Sequence, residues 1–480
     1  MRGIDTDTMP DVVSRPTARR GSLDARAMER LRERFRGELL GPRDPGYEVH
    51  RRVWNGSIDR RPALIARCTG VADVIVALDF ARSSGLPVAV RGGGHSFPGL
   101  SVADDALVID LGPMKRVSVD PSGRTVRVEA GALIGELDRG TQRFGLATTM
   151  GAVTHTGVAG LTLGGGIGWL MRKLGLAVDR LRRVDLVTAD GRLVTASEHD
   201  EAELFWGVRG GGGNLGIATE FEFDLAPIGP IVLAGPLFWP LEMGDEVARF
   251  YRDWSADAPD ELTTALVARR APALPFVPTE LHGRHVISVA CCYAGPLEEG
   301  ERVVRPLREL GPPVLDLCGP KPYLEHQAMF DLSYPHGLWV YMRGHDVAGL
   351  TDELIERTLD HAARIESLRS TVTIWQLGGA VARVGEDATA FPGRRSAYTY
   401  NITGATESDA GFDTERAWVR SFSEAVAPDQ SGVYVNFLME EGLDRVRQAY
   451  GDERFERLRA LKRAYDPDNV FRLNQNVPPA

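Results

Sequence analysis

Along the first half of the chain, short apolar runs alternate with mixed segments, and the spacing predicts strands and helices in irregular succession. Ala63-Leu64-Ile65-Ala66 reads as a strand, Val71 to Arg82 as an amphipathic helix ending before Gly85, and Pro87 to Arg91 as a second strand, together a β-α-β unit. Before it, Ala25, Met28, Leu31, Phe35 and Leu39 recur at helical spacing, which predicts one helix from an N-cap at Ser22 to Leu40. After it come β runs at Leu107–Leu111, Val117–Val119 and Thr125–Ala130, the last two joined by the turn Asp120-Pro121-Ser122-Gly123. A helix over Ala132–Phe144 follows. Val184–Ala189 and Leu193–Thr195 flank Asp190-Gly191 and predict a hairpin, and Ala218–Leu225 alternates as a strand.

Pro227-Ile228-Gly229-Pro230 interrupts this pattern and predicts a domain crossing. Beyond it, strands are predicted at Leu262–Arg269, His285–Cys292, Leu338–Arg343, Thr371–Leu377 and Tyr398–Thr403. Helices are predicted around Gly244–Trp254, Glu299–Leu310, Thr351–Ile365 and Glu453–Tyr465. The second half therefore reads as an antiparallel sheet backed by helices, and the whole as an α+β protein of two domains.

Composition narrows the classes. Hydrophobic residues at 43% and charged residues at 25% suit a soluble globular chain of 480 residues. The 66 acidic against 56 basic residues give a formal charge of −10, which opposes nucleic acid as the main partner. Cys68, Cys291, Cys292 and Cys318 form no C-x-x-C pair, so they read as reduced core thiols, and no metal is expected. Residues 1–20, polar and containing Pro10 and Pro16, read as disordered and lack a secretory h-region. No run of about 20 apolar residues suggests a membrane span, so the expected location is cytoplasmic.

The chemistry concentrates in glycine. Arg91-Gly92-Gly93-Gly94-His95-Ser96 follows the second strand, and its backbone N–H groups could approach an anion closely. Arg91 adds charge and His95 an imidazole nucleophile. Alone, such a trio is equally a tight turn, and such a histidine a hydrogen-bonding residue. Two further clusters follow, Gly151 to Trp169 and Arg209 to Ile217. Gly164-Gly165-Gly166-Ile167-Gly168 lacks the setting of a dinucleotide fingerprint, and no cluster ends as a Walker A loop. His155 is either a partner inside its loop or a group beside a ligand.

Three segments carry a resemblance: Val90-Arg91-Gly92-Gly93-Gly94-His95-Ser96; Gly157-Val158-Ala159-Gly160-Leu161-Thr162-Leu163-Gly164-Gly165-Gly166-Ile167-Gly168-Trp169; and Phe205-Trp206-Gly207-Val208-Arg209-Gly210-Gly211-Gly212-Gly213-Asn214-Leu215-Gly216-Ile217. They resemble the FAD-binding domain of the vanillyl-alcohol oxidase/p-cresol methylhydroxylase superfamily. Tyr434-Val435-Asn436 with Tyr465-Asp466-Pro467-Asp468-Asn469-Val470-Phe471 resembles its berberine bridge enzyme-like branch, on the side holding 6-hydroxy-D-nicotine oxidase and the enterocin-pathway favorskiiase.

The resemblance implies the superfamily's two-domain FAD-binding fold with an antiparallel-sheet substrate domain. Its parts are an FAD-binding domain at 21–227, a substrate-binding domain at 228–430, and a segment at 431–480 returning to the first. It implies FAD as cofactor, bonded through its 8α-methyl to His95. Val153 stands where many relatives carry a second, cysteinyl link, so no cysteinyl link is expected. The implied FAD contacts are Arg91, Gly92, Gly93, Gly94, His95, Ser96, Val153, Thr154, His155, Gly157, Gly160, Gly164, Gly165, Gly168, Gly216, Ile217, Asn436 and Asn474.

Several relatives place a carboxylate on the strand facing the flavin, and Thr371–Gln376 and Tyr398–Thr403 contain none. Alternation puts Tyr398 and Tyr400 on one face and Thr399, Asn401 and Thr403 on the other. Tyr398, Tyr400, Asn401 and Tyr434 are the catalytic candidates. The implied function is an FAD-dependent oxidase using O2 on a small secondary metabolite, acting as a monomer or homodimer. The alternatives are a flavin-N5-oxide oxygenase of a polyketide-like substrate, for which Thr373 replaces an expected glutamate, and a non-redox flavoprotein cyclase or binding scaffold.

Overall fold

The computed structural model describes residues 24–275 and 277–480. Ser22 and the expected disorder of residues 1–20 lie outside that range. The first helix is shorter than its periodicity predicts: it spans Ala25–Arg34 and is capped by Asp24, whose carboxylate accepts from the Arg26 and Ala27 amides. The chain then turns extended, and Glu38–Leu40 pairs antiparallel with Leu64–Arg67. Gly37 makes this possible, since a Cβ there would stand 2.0 Å from the Arg67 carbonyl oxygen. Leu39 therefore keeps its apolar role in a strand.

Leu64–Arg67 and Val88–Arg91 flank Leu107–Asp110, all parallel, so the β-α-β unit has a third strand inserted between its two. The helix Val71–Ser84 covers this sheet with Val74, Ala77, Leu78 and Ala81 and ends at Gly85 in the left-handed region (φ 67°). A five-stranded antiparallel sheet follows, in the order Val117–Asp120, Thr125–Glu129, Ile217–Asp224, Leu181–Val187 and Leu193–Ser197. Its two predicted hairpins form; Asp120 accepts from the Ser122 and Gly123 amides, and Gly191 takes φ 86°.

The chain leaves this sheet at Asp224, pairs Ala226–Pro227 with Leu146–Ala147, and enters a nine-stranded antiparallel sheet at Ile231. Ile231–Pro240 is a strand that its prolines disguise. Pro236 falls where the strand's outer neighbour changes from Gly319–Pro322 to Leu315–Asp316, so its missing N–H costs no ladder bond there. Leu266, Ile374 and Ile402 face the helices Gly244–Ala256, Leu297–Glu309, Asp352–Ala362 and Phe412–Val426. Ala265, Val267 and Trp375 face the first half of the chain. Both faces are buried, which is why these strands read as nearly continuous apolar runs.

The C-terminal segment packs into the first core: Val433, Phe455, Leu458, Phe471 and Val477 join Val158, Leu204 and Phe221. Buried Lys462 fixes it, donating to the carbonyls of Asn214 (2.8 Å) and Phe471 (2.9 Å) and to Asp466 (2.6 Å). The four cysteines are buried thiols. Among the described residues no helix is long and apolar enough to cross a membrane.

Candidate active site

A cleft of about 370 Å³ opens where the two halves meet, within the range of small-molecule sites. The first and second glycine clusters build one wall in backbone-to-backbone contact. A Cβ on Gly93 would lie 2.3 Å from the Gly157 nitrogen, and one on Gly157 would lie 2.4 Å from the Gly93 nitrogen. Only glycine at both positions allows this approach.

The strand ends at Arg91, and the next five backbone N–H groups, from Gly92 to Ser96, make no hydrogen bond within the chain. Consecutive free amides, with Gly94 at φ 69°, form an anion-binding nest. Gly160, which meets nothing within 4 Å in place of a side chain, and Gly213, whose nearest neighbour is the Asn474 amide at 4.0 Å, leave room beside it. The buried Oδ1 of Asn474 and Oγ of Ser101 lack partners on the cleft wall. A nucleotide cofactor with an anionic diphosphate and donor-bearing rings fits these groups.

Arg91 does not supply the charge expected of it. Its guanidinium donates to Asp110 (2.7 and 3.2 Å) and to the His50 carbonyl, so it braces the strand ends and leaves the nest to the backbone. Gly92, Gly93, Gly94, His95, Ser96, Val153, Gly157, Gly160, Gly216, Asn436 and Asn474 line the cleft, whereas Thr154, His155, Gly164, Gly165, Gly168 and Ile217 do not. The space beside Gly164 is filled by Asn436 (2.2 Å), that beside Gly165 by Phe391 (2.5 Å), and that beside Gly168 by the Met150 carbonyl (1.6 Å). Those three glycines serve packing. Ile217 begins a core strand, and Thr154 donates to Asp331.

His95 stacks on Trp54 (centroids 4.9 Å apart, planes 21°). Its Nε2 lies 2.7 Å from His155 Nδ1, one ring nitrogen donating to the other, and its Nδ1 lies 3.4 Å from Thr156 Oγ1. His336, which belongs to no motif of the chain, completes the group, with the three histidines' ligand nitrogens within 4.8 Å of one another. Burial and the two neighbouring imidazoles hold His95 well below the usual histidine range, so it is neutral at physiological pH.

On the opposite wall Asn401 and Thr373 face the cleft, as does Tyr434. The tyrosine oxygen accepts from the Gly166 amide (2.9 Å) and from Asn436 Nδ2 (2.7 Å). Burial pushes its phenol up to about 12, so it keeps its proton. Tyr398 and Tyr400 point the other way. Alternation turns them into the helix-facing core, where they bond to Ser255 (3.0 Å) and Thr358 (3.1 Å), and neither reaches the cleft. A buried carboxylate lies one strand over from Tyr398–Thr406: Asp346, opposite Thr399 and near Tyr434, is raised by desolvation to about 6. It does not line the cleft.

A donor nest and a proton-bearing phenol line one cleft between the two halves of the chain, a site able to hold an anionic nucleotide cofactor. The relatives specify which. Residues 62–197 match the FAD binding domain family, and 433–478 match the family described as berberine and berberine like. An FAD-linked oxidoreductase of Bacillus subtilis is 31% identical over 457 residues, covering 92% of this chain and 97% of its own. (R)-6-hydroxynicotine oxidase of Paenarthrobacter nicotinovorans is 30% identical over 93% of this chain and 97% of its own. The crystal structure of 6-hydroxy-D-nicotine oxidase from Arthrobacter nicotinovorans superposes with a TM-score of 0.84 at 28% identity, covering 93% of this chain and 98% of that one. The chain belongs to the berberine bridge enzyme-like FAD-linked oxidoreductases and is an FAD-dependent enzyme with their two-domain α+β fold.

Proposed function

We propose that the protein is an FAD-dependent oxidase of a small secondary metabolite, its flavin held by one covalent bond, from the 8α-methyl group to His95. In this reading 21–227 binds FAD, 228–430 binds substrate, and 431–480 returns to the first domain, acting as a monomer or homodimer. The observation that carries the covalent reading is the state of His95: neutral, stacked on Trp54 at the mouth of the nest, with one ring nitrogen engaged by His155. Val153 on the cleft wall offers no second nucleophile.

Bound FAD would supply the two-electron acceptor and O2 its regeneration. The chain's own residues bind and orient. The free amides of Gly92 to Ser96 would hold the diphosphate, and Asn474 a donor of the cofactor. Tyr434 has both acceptor positions used by N–H groups, so its O–H is free to donate to a substrate oxygen or nitrogen. A phenol at about 12 serves as a hydrogen-bond donor at neutral pH, not as a resting base.

Denaturing gel electrophoresis tests the attachment. The unmodified protein should keep a fluorescent flavin band, and His95→Ala should lose it while still binding FAD before denaturation. Flavin released from the unmodified protein would overturn the covalent reading.

A further inference from the structure

A chain of aromatic rings runs along the cleft, from Trp375 on the sheet to Trp54 and Phe97 beside the nest loop and on to Tyr434. Trp375 meets Phe330 at 6.2 Å between centroids, and Phe330 meets Tyr334 at 6.4 Å. Tyr334 meets Trp54 at 6.4 Å, and Trp54 meets Phe97 at 5.6 Å. Phe97 meets Phe437 at 6.4 Å, and Phe437 meets Tyr434 at 4.8 Å. All of these side chains line the cleft, and they come from the first half of the chain, the nine-stranded sheet unit and the C-terminal segment. This collar of rings comes together only when all three parts assemble.

Among the described residues that line the cleft, none is Asp, Glu, Lys or Arg. An ionised ligand group at the aromatic end would lose its hydration without meeting a counter-charge. The free amides that answer an anion are those of the nest, which the cofactor diphosphate would occupy. Directional polarity among the rings is sparse. Asn401 spends its oxygen on the Thr403 hydroxyl and has its amide N–H groups for the cleft, Thr373 stands beside it in register, and Tyr434 offers its O–H. A pyranose, ringed with hydroxyls, would leave most of them unmatched here.

We infer that the substrate is an uncharged, planar aromatic molecule, held between the rings of the collar and oriented by one hydrogen-bonding group that meets Asn401 and Tyr434. Flat rings gain offset-stacked and edge contacts from such a wall. This rests on the oxidase reading of the same cleft.

Isothermal titration calorimetry on the flavin-loaded protein tests it with 2-naphthalenemethanol, 2-naphthoate and cellobiose. The first should bind at least about tenfold more tightly than either of the others. Trp375→Ala should weaken that binding by about tenfold, and Trp375→Phe, which preserves packing, by less. Naphthoate or cellobiose binding as tightly as the alcohol, no binding by any of the three, or wild-type affinity in Trp375→Ala would each overturn the inference. Flavin absorbance separates the two readings. Selective binding of the alcohol by a protein whose flavin no substrate bleaches overturns the oxidase reading alone, and bleaching by a sugar or a carboxylate with no preference for the alcohol overturns the collar alone.

Discussion

His95 Nε2 lies 2.7 Å from His155 Nδ1, joining the nest loop to the second glycine cluster through paired imidazoles. The pairing engages Nε2 and leaves Nδ1 with only the Thr156 hydroxyl, 3.4 Å away. With His95 Nε2–H donating, Nδ1 keeps its lone pair, and His155 acts as a positioning residue. His155→Ala should therefore slow covalent attachment of added FAD to flavin-free protein by at least about tenfold. Added imidazole should recover part of the rate. The measurement is fluorescence of the denatured band against time, and a wild-type rate in the variant rules the role out.

Tyr434 is the acceptor for two N–H groups and keeps its O–H for a ligand in the cleft. Tyr434→Phe strands the Gly166 amide and one N–H of Asn436, whose Nδ2 keeps the Leu161 carbonyl (3.1 Å), and should cost about 1–3 kcal/mol of stability. Turnover should fall further than stability implies, by about a hundredfold in kcat/KM, because the phenolic proton is also gone. Chemical denaturation and steady-state kinetics on the same preparation separate the two losses; unchanged kinetics would remove Tyr434 from the site.

Asp138 is wholly buried on the helix Ile134–Gln142, and neither carboxylate oxygen has a partner. Desolvation raises it to about 8 from an ordinary value of 3.8. The folded state thus holds a proton that the unfolded chain has released across that window. This contribution is complete below about pH 4 and lost as pH rises to about 8. Asp138→Asn keeps a neutral side chain throughout, so its melting temperature should exceed the wild-type value by a margin that widens from acid to neutral pH. A constant margin would mean that Asp138 does not titrate in this window.

Lys462 and Asp466 are both fully buried, and Lys462 joins the third glycine cluster at Asn214 to the C-terminal motif at Phe471. Lys462→Met removes one partner of a buried pair and should destabilise the protein by about 3–5 kcal/mol. Asp466→Asn should cost a comparable amount, because it too leaves a buried charge unpaired, and its single amide oxygen can replace only one of two acceptors, Oδ1 serving the Val470 amide and Oδ2 the Phe471 amide and Lys462. Urea midpoints of the two variants give the comparison.

Much of the architecture was legible where one local rule decided it. The helix at 71–84, the Asp190-Gly191 hairpin and the strand alternation of 398–403 follow from periodicity and turn chemistry. Where two rules competed, packing won: Leu39 fits a helical stripe, yet Gly37 lets Glu38–Leu40 pair as a strand. Ile231–Pro240 carries prolines and is still a strand, because the change of outer neighbour absorbs Pro236.

By itself the sequence determined the glycine nest, the histidine within it and the absence of a thiol at Val153, since these are properties of consecutive residues. It also separated Tyr398 and Tyr400 from Asn401, because alternation is local. Which of those two faces met the cleft was decided only when helices covered one side of the sheet, and that turned both tyrosines into the core. His336 beside His155, Asp346 behind Tyr434, the internal pairing of Arg91 and the collar joining Trp375 to Phe437 depend on chain segments far apart in sequence. A side chain's chemistry is written in its residue type, but its neighbours, hydration and charge state are set by what folding brings against it.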